Sequence, residues 1–155
     1  MEDFIIQQKI LNPQIYFTVN RHNGQSPLYA VKRDSNNVFS LLETQKESIS
    51  LILKTNYLFT NCLLLTTTGE EWGKLLLPPG WSKKLQLTFK DQDYYAQGSF
   101  WAWYFQGYAL DGQIAFTIRR RHAINFKFEL SLKERLLLEP LILTTVAIAH
   151  RYFRF

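Results

Sequence analysis

Along residues 124–131, INFKFELS, apolar and polar side chains alternate without a break. Ile124, Phe126, Phe128 and Leu130 take one side, and Asn125, Lys127, Glu129 and Ser131 take the other. A period of two is that of a strand with one buried face. QIAFTIRR repeats it with Ile114, Phe116 and Ile118 inward, KKLQLTFK with Leu85, Leu87 and Phe89, SISLILK with Ile49, Leu51 and Leu53, and IYFTVN with Ile15, Phe17 and Val19. LYAVKR, VFSLLE, YLFTNCLLLTT, EWGKLLL and SFWAWYF are shorter candidates. Between them lie RHNGQSP, RDSNN, TTGEE, PPGWS, KDQD and LDG, all turn chemistry. Roughly ten to twelve strands at hairpin spacing predict an antiparallel barrel or sandwich. Asp111-Gly112 reads as a two-residue hairpin turn with positive φ.

The alternation stops at Leu132, and the tail LLLEPLILTTVAIAHRYFRF follows. From Leu141 to Ala149 it is apolar apart from Thr144 and Thr145. That run is far shorter than the ~20 residues of a membrane-spanning helix. Pro140 and Glu139 suit the first turn of a helix, and His150, Arg151 and Arg154 suit its negative end. Propensity alone would also allow a buried strand, since Ile142, Val146, Ile148 and the two threonines are β-branched. A helix here is apolar on every face, so it must be surrounded. At ~1.5 Å per residue it is roughly 20 Å long, about the height of a small barrel. A many-stranded closed sheet is wider inside than its own side chains fill, so the tail is predicted to be the core of the barrel.

Composition adds limits. The chain has 155 residues, 46% hydrophobic and 20% charged, which suits one globular domain without linkers. An aromatic content of 15% favours strands. One cysteine, Cys62, cannot form an internal disulfide, and its apolar setting reads as an inert core thiol. The acidic opening MEDFIIQQK has no signal-peptide character, so an intracellular, cytoplasmic protein is expected. A formal charge of +5 suits acidic partners, and equally suits simple solubility.

GQIAFTIRR, the further strand after it, and the acidic-apolar helix start LEPLIL together resemble the tubby C-terminal-like superfamily, which includes phospholipid scramblases and LURP-one-related proteins. The resemblance implies a closed antiparallel barrel of about twelve strands, here over about 4–132, wrapped around a central hydrophobic C-terminal helix at about 138–153. It also implies a non-catalytic module, with phosphoinositide or other anionic membrane surfaces among the ligands known in the superfamily. Residues 1–155 would form one such domain, peripheral to a membrane where it binds lipid. The tail ends in HRYFRF, and neither a palmitoylation-type cysteine cluster nor a calcium-loop carboxylate pattern is present, so scrambling, metal binding and anchorage are not carried over.

Fold resemblance does not choose a ligand, so sites must be sought residue by residue. RRRH places Arg119 and Arg121 on one side of a strand end, where guanidiniums can take phosphate groups. The same charges also discourage edge pairing. Trp81, Lys83 and Lys84 beside the Pro-Pro-Gly turn form an aromatic and basic tip, or an ordinary turn with a packed tryptophan. In YYAQGSFWAWYFQGY, alternation separates Phe100, Ala102 and Tyr104 from Trp101, Trp103 and Phe105. One set fills the core and the other, taken as Trp101, Trp103 and Phe105, is a candidate interaction surface for a protein partner or a second copy. His22, His122 and His150 have no metal-ligand spacing and read as surface or capping residues. No phosphate-binding glycine loop, nucleophile elbow, paired-carboxylate motif or cofactor motif occurs. The expected partner is anionic lipid or a protein. Nucleic acid ranks below both, because the lysines are scattered.

Overall fold

The computed structural model describes residues 1–9, 15–24, 26–78, 84–99, 104–121 and 127–152. The first six strands are β1 (Glu2–Gln8), β2 (Ile15–Arg21), β3 (Tyr29–Ser35), β4 (Val38–Glu43), β5 (Ser48–Thr55) and β6 (Asn61–Leu65). The next six are β7 (Glu71–Leu76), β8 (Lys84–Phe89), β9 (Gln92–Ser99), β10 (Tyr104–Ala109), β11 (Ile114–Arg120) and β12 (Lys127–Leu132). Each pairs antiparallel with its chain neighbour, and β1 pairs with β12 to close a barrel. A single 3-10 turn, Arg135–Leu137, leads into the helix α1 (Leu138–Tyr152).

Alternation decides which side chains fill the barrel. Phe17 and Val19, Leu51 and Leu53, Leu85, Leu87 and Phe89, Phe116 and Ile118, and Phe128 and Leu130 are all buried, as the period of two predicts. Three expected inward positions differ. Ile15 is only half-buried, because β2 pairs Phe17 with Val31 but Ile15 with Lys32, leaving Tyr16 as an extra residue. Ile49 is 41% exposed because β4 pairs Leu41 with Leu51 but Leu42 with Ile49, leaving Ser50 as an extra residue. Side-chain parity flips across such a bulge. Ala115 is the extra residue on β11, and Ile114 is only half-buried. Ile124 and Phe126 lie outside the described residues.

The Asp111-Gly112 hairpin exists, but its loop has three residues, Leu110 to Gly112. The Ala109 N–H donates to the Gln113 carbonyl, and the Gly112 N–H donates to the Ala109 carbonyl. Only Gly112 has positive φ, at 84°, the form of a type I turn closed by a left-handed glycine.

α1 is enclosed. From Leu141 to Ala149 every residue is at 0% exposure, so no face meets water. Its two buried threonines keep their hydroxyls satisfied within the helix: Thr144 donates to the Pro140 carbonyl at 2.7 Å and Thr145 to that of Leu141 at 2.8 Å. This is how β-branched, polar residues sit in a dry helix without an outside partner.

Packing around the helix leaves little slack at Gly107 of β10. It pairs in register with Phe116, and a Cβ there would overlap the Phe116 ring, itself fully buried. Gly107→Ala is expected to cost roughly 2–3 kcal/mol. At this chain length that lowers Tm by about 8 °C. Adding Phe116→Leu should cost less than the sum of the two single changes, because the smaller side chain vacates the contested space. An unchanged Tm in Gly107→Ala would refute the packing argument.

Candidate functional site

In an up-and-down barrel, every second turn falls at the same mouth. One mouth surrounds the start of α1 and the other surrounds its end. Of the 13 acidic residues, eleven lie in the helix-start half; only Asp34 and Glu129 lie in the other. Five basic residues share the helix-start half, namely Arg21, Lys46, Lys90, Lys133 and Arg135, so eleven against five gives it a formal charge of −6. The helix-end half holds Lys9, Arg33, Lys54, Lys84, Arg119, Arg120, Arg121, Lys127 and Arg151 among its described residues, so nine against two gives +7. Lys32 and Lys74 lie midway along their strands. A net charge of +5 thus conceals a bipolar barrel.

At the positive mouth, the exposed outer face of β8 to β11 carries two of the residues singled out by sequence. Lys84 opens β8 with its ammonium 4.7 Å from the centre of the Tyr95 ring. Arg119, near the end of β11, lies 5.0 Å from that of Tyr104, its register partner on β10. Tyr95 and Tyr108 stack between these two positions with centroids 5.2 Å apart. Three strand spacings separate Lys84 from Arg119, about 14 Å along the sheet. A tyrosine surface with a cation at either side results, and each ring holds its cation by the negative face of the π system. Beside Lys84, a groove of about 490 Å³ runs between Asn61, Leu76, Pro78 and Gln86.

Arg121 is placed differently. It lies just past the end of β11 and pairs with Glu129 at 3.0 Å, while Glu129 is also the register partner of Arg119. The Glu129 carboxylate therefore balances the charge of Arg121, whereas the Arg119 guanidinium lies against the Tyr104 ring. His22 comes within 3.9 Å of the same carboxylate. Arg120, between them, is half-buried, and burial lowers its pKa.

Trp81, Lys83, Trp101, Trp103 and His122 lie outside the described residues. Phe105 is a correction. It is 5% exposed and its ring lies 5.9 Å from that of Tyr152, so it packs on α1 and offers no outer surface. The parity of β10 that turns Phe105 inward turns Tyr104 outward to meet Arg119. His150 is a second correction, since it is neither a surface residue nor a cap. Its ring stacks on Phe59 at 4.7 Å and on Tyr16 at 5.3 Å, with Phe39 at 5.2 Å. Burial, aided by the nearby Arg33 charge, pulls its pKa down to about 4. Cys62 is buried as expected, and burial pushes its thiol up to about 11 against a hydrogen bond shared with Thr55.

Among the described residues no group of three or more His, Cys, Asp or Glu could hold a metal ion. Nor is any described helix long and apolar enough to cross a membrane.

No protein-family model matches the chain, and no curated protein matches it. Among solved structures, the X-ray structure of an Arabidopsis thaliana protein is similar, with a TM-score of 0.67 at 14% identity. The match covers 94% of this chain and 88% of that one. At that identity the likeness concerns the fold alone.

Proposed function

We propose that this protein is a non-catalytic binding module whose positive mouth docks on anionic phospholipid, with phosphoinositide headgroups as the preferred ligand. The observation that carries the reading is the segregation of charge, +7 in the half that presents the exposed Lys84 and Arg119 on an outer face of half-buried tyrosines. Such a field orients the barrel as it approaches a negative surface, and basic side chains near that surface contribute about 1 kcal/mol each. The resemblance to the tubby C-terminal-like superfamily supports the same ligand class.

Liposome sedimentation tests it. Vesicles with phosphoinositide should bind the protein well at low salt and poorly at high salt, since exposed charges are screened over about 10 Å at 0.1 M. Replacing Lys84 and Arg119 by Gln should weaken binding about thirtyfold, the equivalent of two such contributions. Replacing Lys46 and Lys90 by Gln at the opposite mouth should leave it unchanged. Equal binding to neutral and anionic vesicles at low salt would sink the proposal.

A second reading, self-association, is favoured by the opposed charges of the two mouths, −6 and +7. Head-to-tail stacking of such ends is open-ended, so light scattering at low salt would show mass growing with concentration rather than a fixed oligomer.

A further inference from the structure

The negative mouth contains a cavity that the lipid reading does not use. It measures about 400 Å³ and lies between the first turn of α1 and strands β3, β5 and β7. That volume suits a small molecule, and barrel mouths are common places for one. Its wall includes Tyr29, Trp72, Thr66 and the carboxylate of Glu139. Trp72 is fixed against the core, with its ring 6.2 Å from that of Phe89. The Tyr29 hydroxyl donates to Glu139 Oε2 at 2.8 Å. The second carboxylate oxygen, Oε1, accepts no hydrogen bond among the described residues. One cation, Arg135, also reaches the cavity, but its guanidinium pairs with Glu2 at 3.2 Å and lies over the Phe4 ring.

We propose that this cavity binds a small organic cation, a primary or quaternary ammonium group, held between the Trp72 and Tyr29 rings and the Glu139 carboxylate. Aromatic faces attract ammonium ions, and a partly desolvated carboxylate beside them strengthens that attraction. The surrounding half, at −6, raises the local concentration of cations and repels anions. The one positive wall group is already balanced by Glu2, so it offers an anion little and subtracts little from a cation. Tyr29 stays in its protonated form, because burial and the Glu139 charge both raise its pKa. It therefore remains a hydrogen-bond donor that orients the carboxylate rather than a competing anion.

The test uses choline and its uncharged isostere 3,3-dimethylbutan-1-ol, each titrated into the full chain while the Trp72 indole N–H is followed by NMR. Choline should bind saturably, and the neutral isostere about tenfold more weakly. Glu139→Gln keeps an acceptor for Tyr29 and should abolish most of that difference, while Trp72→Ala should weaken choline itself. No shift of the Trp72 signal with choline, or equal binding of the two probes by the unaltered protein, would overturn the proposal without relying on either variant. Vesicle binding at the opposite mouth is read separately, so one proposal can fail while the other stands.

Discussion

A chain ending at Glu139 should lose cooperative folding rather than become a trimmed domain. Leu141, Ile142, Leu143, Val146 and Ile148 are all fully buried within the barrel. At roughly 2 kcal/mol for each such side chain, their removal costs about 10 kcal/mol. That is comparable with the whole stability of an ordinary domain, about 5–15 kcal/mol. The loss is also shared, because Phe4, Phe17, Phe39, Phe116 and Phe128 belong to the same buried core and would lose helix atoms as neighbours. Polar mouth contacts go with it, including the hydrogen bond from the Tyr152 hydroxyl to the Pro78 carbonyl at 3.2 Å. The expected product is aggregated or molten, with no near-ultraviolet circular dichroism and strong binding of a hydrophobic dye. A soluble shortened chain with a sharp melting transition would show that the barrel stands without its helix.

Acid should destabilise the protein through His150 before most carboxylates titrate. In the unfolded chain this imidazole takes a proton near its ordinary pKa of 6.5, whereas in the fold it does so only near pH 4. Above pH 6.5 the ring is neutral in both states and contributes no difference. Between 6.5 and 4 the unfolded state binds the proton and the native state does not, so stability falls as pH falls. The slope approaches about 1.4 kcal/mol per pH unit, and the total reaches roughly 3 kcal/mol below pH 4. The cause is physical enclosure: three aromatic rings displace the water that would solvate an imidazolium, and Arg33 adds like-charge repulsion. Comparing urea unfolding of the protein with His150→Phe at pH 7.5, 6, 5 and 4.5 isolates this contribution. The unaltered protein should lose roughly 2 kcal/mol more than the variant over that range. Parallel curves would show that His150 is not held neutral.

The candidate site was legible in the sequence only in pieces. Lys84 and Arg119 stand out as basic residues at strand ends, and both prove exposed on the same face of the sheet. Their tyrosine partners were hidden in an aromatic run whose inward and outward sets depend on which parity β10 adopts. That parity buries Phe105, and Tyr104 follows it outward. Ile49 and Ile114 failed the simple alternation for a related reason, since the extra residues Ser50 and Ala115 are bulges visible only in the pairing with β4 and β10. His150 looked like a helix-end charge because its sequence neighbours are polar, whereas its spatial neighbours are Tyr16, Phe39 and Phe59 from distant parts of the chain.

Local residue pattern is enough to specify the kind of object. Period-two alternation specifies half-buried strands, and an apolar run too short for a membrane and apolar on every side can be stable only when enclosed. These are local properties, readable one segment at a time. Where the charges meet, by contrast, is set by closure of the barrel. Acidic turns such as TTGEE, KDQD and LDG alternate along the chain with basic strand ends such as those at Lys54, Lys84 and Arg119, so they average to an unremarkable +5 in the sequence. Up-and-down closure sends every second turn to the same mouth and sums like with like. A field of that kind depends on distances through space, and these arise only when the barrel closes.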